Sequence, residues 1–201
     1  MKDSECIARI LQFWFGELDT DGLAAPGRNK LWFQSTPADD RQIEEEFGDN
    51  VARAISGALD HWSESADGLV ALILLLDQFP RSIYRGTPRA FSGDAKALLL
   101  CRAAVSAGID SDMPSIHRVF LYIPFEHAED LQAQDEGVAC FDRLLDYSST
   151  AAQPVISGFR DYMLAHREVI ARFGRFPHRN PILERTSTTE EMSHLELHGG
   201  F

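Results

Sequence analysis

The stretch Gly68-Leu-Val-Ala-Leu-Ile-Leu-Leu-Leu-Asp-Gln-Phe-Pro-Arg81 constrains this chain more than any other. From Leu69 to Leu76 every residue is apolar, the pattern of a helix covered by neighbours around its whole circumference. The run falls short of the ~20 apolar residues that cross a bilayer, so it predicts the central helix of a soluble core. Pro80 disfavours helical geometry at Phe79, and the helix is expected to stop close to Gln78. Asp77 would then lie in the last turn, where the macrodipole disfavours an anion by ~0.3–1 kcal/mol. A carboxylate there needs a cation, and Arg81 stands one helical turn further on.

At 201 residues the chain can bury about 70% of its unfolded surface as one domain, without a staple. A formal charge of −12 argues against nucleic acid and anionic membranes as general partners. Met1-Lys-Asp-Ser-Glu5 carries acids ahead of the first apolar run, unlike a signal or transit peptide. Cys6, Cys101 and Cys140 are far apart, each among apolar neighbours, with neither a CxxC nor a zinc spacing. They read as buried reduced thiols of a cytoplasmic protein.

Helical periodicity recurs throughout, and no segment alternates long enough to read as a strand. Ser4 to Phe15 forms the first helix, with Ile7, Ile10, Leu11, Trp14 and Phe15 inward and Gly16 at its end. Thr36-Pro-Ala-Asp39 has the order of an N-cap, a first-position proline and first-turn acids. Ile43, Phe47, Val51, Ile55 and Leu59 continue it as one stripe, and Ser63–Asp67 caps the central helix. A helix opening at Ser92 or Gly93 would turn Ala95, Leu98, Leu99 and Val105 inward. The next starts at Pro114 and is expected to end at Pro124. Leu131, Val138, Phe141 and Leu145 mark another, with Gln134 on its inward face. Pro154 opens the last long helix, whose seam reads Val155, Phe159, Tyr162, His166, Ile170 and Phe173. Residues 174–187 are basic and mostly non-helical, and Thr188 starts a short terminal helix. Helices joined by short turns imply an all-α fold of stacked antiparallel hairpins in a single domain, residues 1–201.

The polar residues that interrupt this pattern are the candidate site. They are Asp77, Arg81, Glu126 and His127 at a proline-bounded corner, Gln134, His166, and Arg175, His178, Arg179 and Asn180. Each has a plainer reading. Asp77 with Arg81 fits a salt bridge fastening a turn, and His166 fits a core histidine bonded to a backbone carbonyl. Arg172, Arg175, Arg179 and Arg185 repel one another unless carboxylates or a bound anion lie between them. His194 and His198 are one helical turn apart, a spacing zinc can use, although they lie at a polar end and lack the HExxH order. There is no P-loop, Rossmann fingerprint, GxSxG elbow or EF-hand loop, so neither a cofactor nor a metal is expected.

Several strings together resemble the bacterial domain-of-unknown-function family 924. They are Ile10-Leu-Gln-Phe-Trp-Phe-Gly16, Trp32-Phe33, Leu76-Asp-Gln-Phe-Pro-Arg81, Tyr84-Arg-Gly86, Phe91 and Asp94. The pattern continues through Phe120-Leu-Tyr-Ile-Pro-Phe-Glu-His-Ala-Glu129, His166 and Arg172-Phe-Gly-Arg-Phe-Pro-His-Arg-Asn180. The resemblance implies an all-helical fold akin to the tetratricopeptide superhelix, and it supplies no reaction.

The expectation is a concave pocket for a small anionic ligand, phosphate- or carboxylate-bearing. Arg81, Arg175 and Arg179 would clamp the anion with His178 and Asn180 beside them, and Trp32 and Phe33 would form an apolar wall. Asp77, Glu126, His127 and His166 would orient the ligand or exchange protons with it, as acid–base or hydrolytic chemistry requires. The alternative is a tetratricopeptide-like scaffold that holds a peptide carboxylate without catalysis. In a third reading the charges neutralise one another and nothing binds.

Overall fold

The computed structural model describes residues 2–200. Met1, the first residue of the opening segment read above, and Phe201 lie outside them. The periodic segments become ten α-helices among the described residues. They are α1 Asp3–Phe15, α2 Arg28–Phe33, α3 Pro37–Ile55, α4 Ala66–Ile73, α5 Phe79–Ile83, α6 Asp94–Ser106, α7 Ser115–Glu126, α8 Leu131–Tyr147, α9 Gln153–Phe173 and α10 Thr189–His198. β pairing among these residues is limited to an isolated bridge between Leu18 and Ala24, so the class is all-α. No helix among them is long and apolar enough to cross a membrane.

The helix starts follow local chemistry. Thr36 accepts a hydrogen bond from the Asp39 N–H at 3.3 Å while Asp39 reaches back to the Thr36 N–H at 2.7 Å, a reciprocal cap for α3. Ser65 caps α4 through the Gly68 N–H at 3.2 Å, and Thr188 caps α10 through the Glu191 N–H. Gly174, at φ +69°, turns the chain out of α9 in the left-handed conformation that glycine adopts without strain.

The central run is buried from Gly68 to Asp77, and α4 packs against α1, α6 and α7. Its end differs from expectation. Leu74–Gln78 forms a π-helical turn, with the Phe79 N–H bonded to the Leu74 carbonyl, and the chain continues directly into α5. The wide turn takes up one extra residue, so side chains beyond it are displaced by about 100°. Pro80 has no N–H to give, and it is absorbed as a first-turn residue of α5. Asp77 therefore lies inside a continuous helical run, and the macrodipole argument for it falls away. The Leu76 carbonyl lies against Gly93, where an added Cβ would come within 2.1 Å of that oxygen.

Pro124 likewise lies inside α7, which runs two residues further because the lost hydrogen bond falls in the final turn. On α6 the inward residues are Ala97, Cys101 and Ala104, while Ala95 is exposed and Leu99 is 67% exposed. On α9 they are Ile156, Phe159, Met163, His166, Val169 and Ile170, which leaves Val155 and Tyr162 outside. On α6 the small residues Ala97, Cys101 and Ala104 let the helix lie close, and on α9 the buried stripe is shifted by one residue, from Val155 to Ile156 and from Tyr162 to Met163. Leu59 is buried but lies past the end of α3, and Ile55 is half-buried. Cys101 and Cys140 are buried free thiols, whereas Cys6 is half-buried.

An aromatic cluster joins the N-terminal helices to the core. Phe79 packs on Trp14 at 5.3 Å and Phe47 at 5.2 Å, and Phe120 packs on Trp32 at 4.8 Å. Trp32 also donates to the Trp14 carbonyl at 3.0 Å. α8 lies against both α7 and α9, and Gly137 lets it approach, since a Cβ there would meet Phe125 and Met163 at 2.8 Å.

Gly93→Ala should lower stability by about 1–3 kcal/mol, because the backbone carbonyl opposite cannot move aside. Gly158→Ala, on an exposed turn of α9 with nothing within 4 Å, should raise it by about 0.5–1 kcal/mol. Thermal melts of the two variants check this contrast of sign.

Candidate functional site

The π turn places Asp77 where no water reaches, at 0% exposure. A carboxylate there must recover its lost hydration from the protein. His127 Nδ1 lies 2.7 Å from one oxygen, Gln78 donates to the other, and Arg81 Nη1 stands 3.2 Å from the first. Burial alone would raise the Asp77 pKa, but Arg81 and His127 outweigh it and hold the carboxyl well below the ordinary range.

Arg81 projects from α5 and is already fully engaged. It donates to the Asp77 carbonyl at 2.7 Å and grips Asp94 with both terminal nitrogens, at 2.8 and 2.9 Å. Its burial would depress its pKa, but Asp77 and Asp94 more than compensate and raise it. Asp94, the first residue of α6, was not among the residues singled out as polar exceptions. A first-turn acid beside a helix-opening glycine is unremarkable locally, and only the tertiary approach of Arg81 marks it.

Glu126 and His127 come from the end of α7. Ionised Asp77 can only accept, so His127 Nδ1 carries the proton and Nε2 is the basic nitrogen. Burial, reinforced by Arg81, lowers the His127 pKa, so the ring is neutral at neutral pH. Glu126 is buried beside the charge of Asp77, and its pKa is pushed up to about 8. His166 hydrogen-bonds through Nδ1 to the Tyr162 carbonyl at 2.9 Å, and burial brings its pKa down to about 3. Its 3.6 Å approach to Glu126 is therefore a contact between two neutral groups at pH 7 rather than an ion pair. Gln134 holds this corner by donating to the Glu126 and Ala128 carbonyls at 2.7 and 2.8 Å.

The C-terminal arginines divide into two groups. Arg172 meets Glu190, Arg175 grips Glu191 at 2.7 and 2.9 Å, and Arg185 grips Glu129 at 2.6 and 2.9 Å. Asn180 is buried and receives Arg185 at 2.9 Å while donating to Ser187 at 3.0 Å. Carboxylates thus lie between these arginines, and Arg175 and Asn180 belong to the fastening of α10 rather than to the cluster around Asp77. Glu129 and Glu191 were not anticipated as their partners, being two of the chain's 31 acids with no local mark.

Arg179 is different. It is 6% exposed, its guanidinium carbon lies 4.8 Å from the Phe91 ring and 4.4 Å from Phe176, and Nε has no hydrogen-bond partner among the described residues. The ion pair it makes there, to Asp94 Oδ2, spans 3.8 Å. Burial and then the charge of Arg81 bring its pKa down to about 10. His178, beside it, is lowered to about 4 by burial and then by Arg179.

A cavity of about 410 Å³ is lined by the polar side chains Arg81, Glu126, His127, His166, His178 and Arg179, with Phe91 beside the arginines, and by Trp14, Trp32, Phe33, Tyr162 and Ile182. Asp77 stands behind His127 rather than in the wall. No group of three or more His, Cys, Asp or Glu side chains among the described residues is disposed to hold a metal ion. His194 and His198 lie with ring centroids 4.8 Å apart and tilted by 39°.

An all-helical protein with an Asp–Arg–Asp cluster built on one buried carboxylate, beside an aromatic-walled cavity, is the class that fold and geometry define. The chain belongs to the family of bacterial proteins of unknown function DUF924, whose model matches residues 10–199. It is similar to the protein of unknown function ATU0120 from Agrobacterium tumefaciens, with 35% identity, a TM-score of 0.80, and coverage of 98% of this chain and 99% of that one. No curated protein matches the chain.

Glu126 is protonated more readily in the folded chain than in the unfolded one. Its contribution to stability is whole below the ordinary carboxyl pKa of 4.5 and is lost as pH rises through about 8. Glu126→Gln keeps the shape of the protonated acid and cannot ionise. The melting temperature of the native protein should therefore fall relative to this variant between about pH 5 and 8, by at least ~2–4 °C. Parallel melting curves across that window would show that the acid is ionised throughout.

Proposed function

We propose that the cavity binds a small anionic ligand at Arg179, and that Glu126 and His127 exchange protons with it. The observation that carries this reading is the under-neutralised guanidinium: buried, flanked by two rings, with Nε unbonded and its carboxylate at 3.8 Å. A desolvated cation of this kind is costly to maintain unless a counter-charge arrives. Arg81 acts as the strut that holds Asp77 and Asp94, and Asp77 orients His127 with Nε2 as the proton acceptor. Glu126 supplies the complementary acid, since it keeps its proton at neutral pH.

The alternative is a tetratricopeptide-like stack that grips a peptide carboxylate. The enclosed floor favours the small molecule, because Glu126, His166 and Arg179 all line the cavity yet are buried. An extended peptide needs a groove open at both ends.

Calorimetric titration with acetate and inorganic phosphate tests the reading. Arg179→Met retains the apolar packing against Phe91 and Phe176 while removing the charge. Binding to the native protein that is lost in this variant, with an equal or higher melting temperature, is the expected result. Equal binding by both proteins, or none by the native one, overturns it.

A further inference from the structure

The aromatic part of the wall has no role in holding a bare anion. Phe33 is 57% exposed and Tyr162 61% exposed, and their rings lie 6.3 Å apart and within 12° of parallel. Phe33 also meets Phe159 at 5.8 Å, and Trp32 stands at 6.2 Å behind it. Two large, exposed and parallel rings at a cavity wall offer another flat ring an aromatic surface to pack on. The rings and the charged floor belong to one cavity, whose wall includes Phe33, Tyr162, Glu126, His166 and Arg179. Along α9, His166 stands one turn from Tyr162, about 5.4 Å of rise, and bonds to its backbone carbonyl. Phe176 lies between His166 and the Arg179 guanidinium, at 5.5 and 4.4 Å. An anion on Arg179 that carries a ring would extend along this wall toward the Phe33–Tyr162 pair, whereas acetate or phosphate would leave that part of the 410 Å³ unfilled.

Charge limits the head group. Arg81 is already matched by Asp77 and Asp94 through contacts of 2.7 to 3.2 Å. Arg85, at the same wall, is gripped by both oxygens of Asp40 at 2.9 Å. Arg179 is then the lining cation left without a hydrogen-bonded carboxylate among the described residues, since the three imidazoles there are neutral at pH 7. Protonated Glu126 adds a hydrogen-bond donor without adding a charge. One guanidinium and one neutral donor match a single negative charge, and a phosphate dianion would leave an excess in an already acidic protein.

We infer that the ligand is a flat aromatic monocarboxylate, its carboxylate on Arg179 and its ring against Phe33 and Tyr162. This rests on the anion-binding reading above and narrows it to one chemical class.

Titration calorimetry of the full chain with phenylacetate, cyclohexylacetate, acetate and phenyl phosphate separates the two levels. Phenylacetate should bind about tenfold or more tighter than cyclohexylacetate, and tighter still than acetate. Phe33→Ala with Tyr162→Ala, both at exposed rings, should weaken phenylacetate about tenfold while leaving acetate unchanged. Arg179→Met should abolish binding of both. If acetate binds through Arg179 and the ring adds nothing, the inference fails while the anion site stands. Tighter binding of phenyl phosphate than of phenylacetate overturns the monocarboxylate. Absence of binding by all four removes the anion site and the inference together.

Discussion

Asp77 is a carboxylate without access to water, and such a group stays charged only where the protein replaces its hydration. Three side chains do so, and two of them tie other parts of the fold to the central run. Gln78 is its neighbour in the π turn, Arg81 carries the interaction across α5 to Asp94 on α6, and His127 brings in the end of α7. The apolar helix therefore has at its polar end a charged junction that ties the π turn and α5 to the start of α6 and the end of α7. Removing one partner would leave an uncompensated charge in the interior, which is far more damaging than the loss of a surface ion pair.

The same accounting explains why Arg179 stands apart. The other C-terminal arginines each find a carboxylate within hydrogen-bonding distance, and with Asn180 they fasten residues 174–187 and α10 to the body through Glu129 and Glu191. Arg179 enters the space near Asp94, but that acid already serves Arg81 with both oxygens. It is left with aromatic faces and a distant ion pair, in a pocket whose imidazoles are neutral and whose lining glutamate, Glu126, keeps its proton. The site combines an imidazole held in one tautomer, a carboxyl held in its protonated form and a guanidinium whose carboxylate stands at 3.8 Å.

Much of the architecture is legible in the residue pattern. The caps at Thr36, Ser65 and Thr188, the glycine stop at 174 and the full burial of Leu69–Leu76 follow from local chemistry and hydrophobic periodicity. The two proline positions do not. A proline rule assumes regular α-helical bonding on both sides, and it misses a π turn ahead of Pro80 and a last-turn location for Pro124. The interior faces of α6 and α9 depart from the apolar pattern, because small residues pack inward on α6 and the buried stripe of α9 is shifted by one position at Ile156 and Met163. Of the polar exceptions, Asp77, Arg81, Glu126, His127, His166, His178 and Arg179 converge, while Arg175 and Asn180 lead elsewhere. Nothing local distinguishes Arg175 from Arg179, since both follow the same helix and both precede a carboxylate-rich segment. The difference lies in which acids the tertiary fold brings within reach.

The order in which these groups occur along the chain has a consequence for biosynthesis. Translation delivers Asp77, Arg81, Asp94, Glu126 and His127 well before Arg179, whose segment is fastened only once Arg185 and Glu191 have also been made. A nascent chain can therefore settle its central junction early, with one wall of the recess still missing. The charge-matched interior is encoded ahead of the tail, and the wall that carries Arg179 is the last part of the recess to be made.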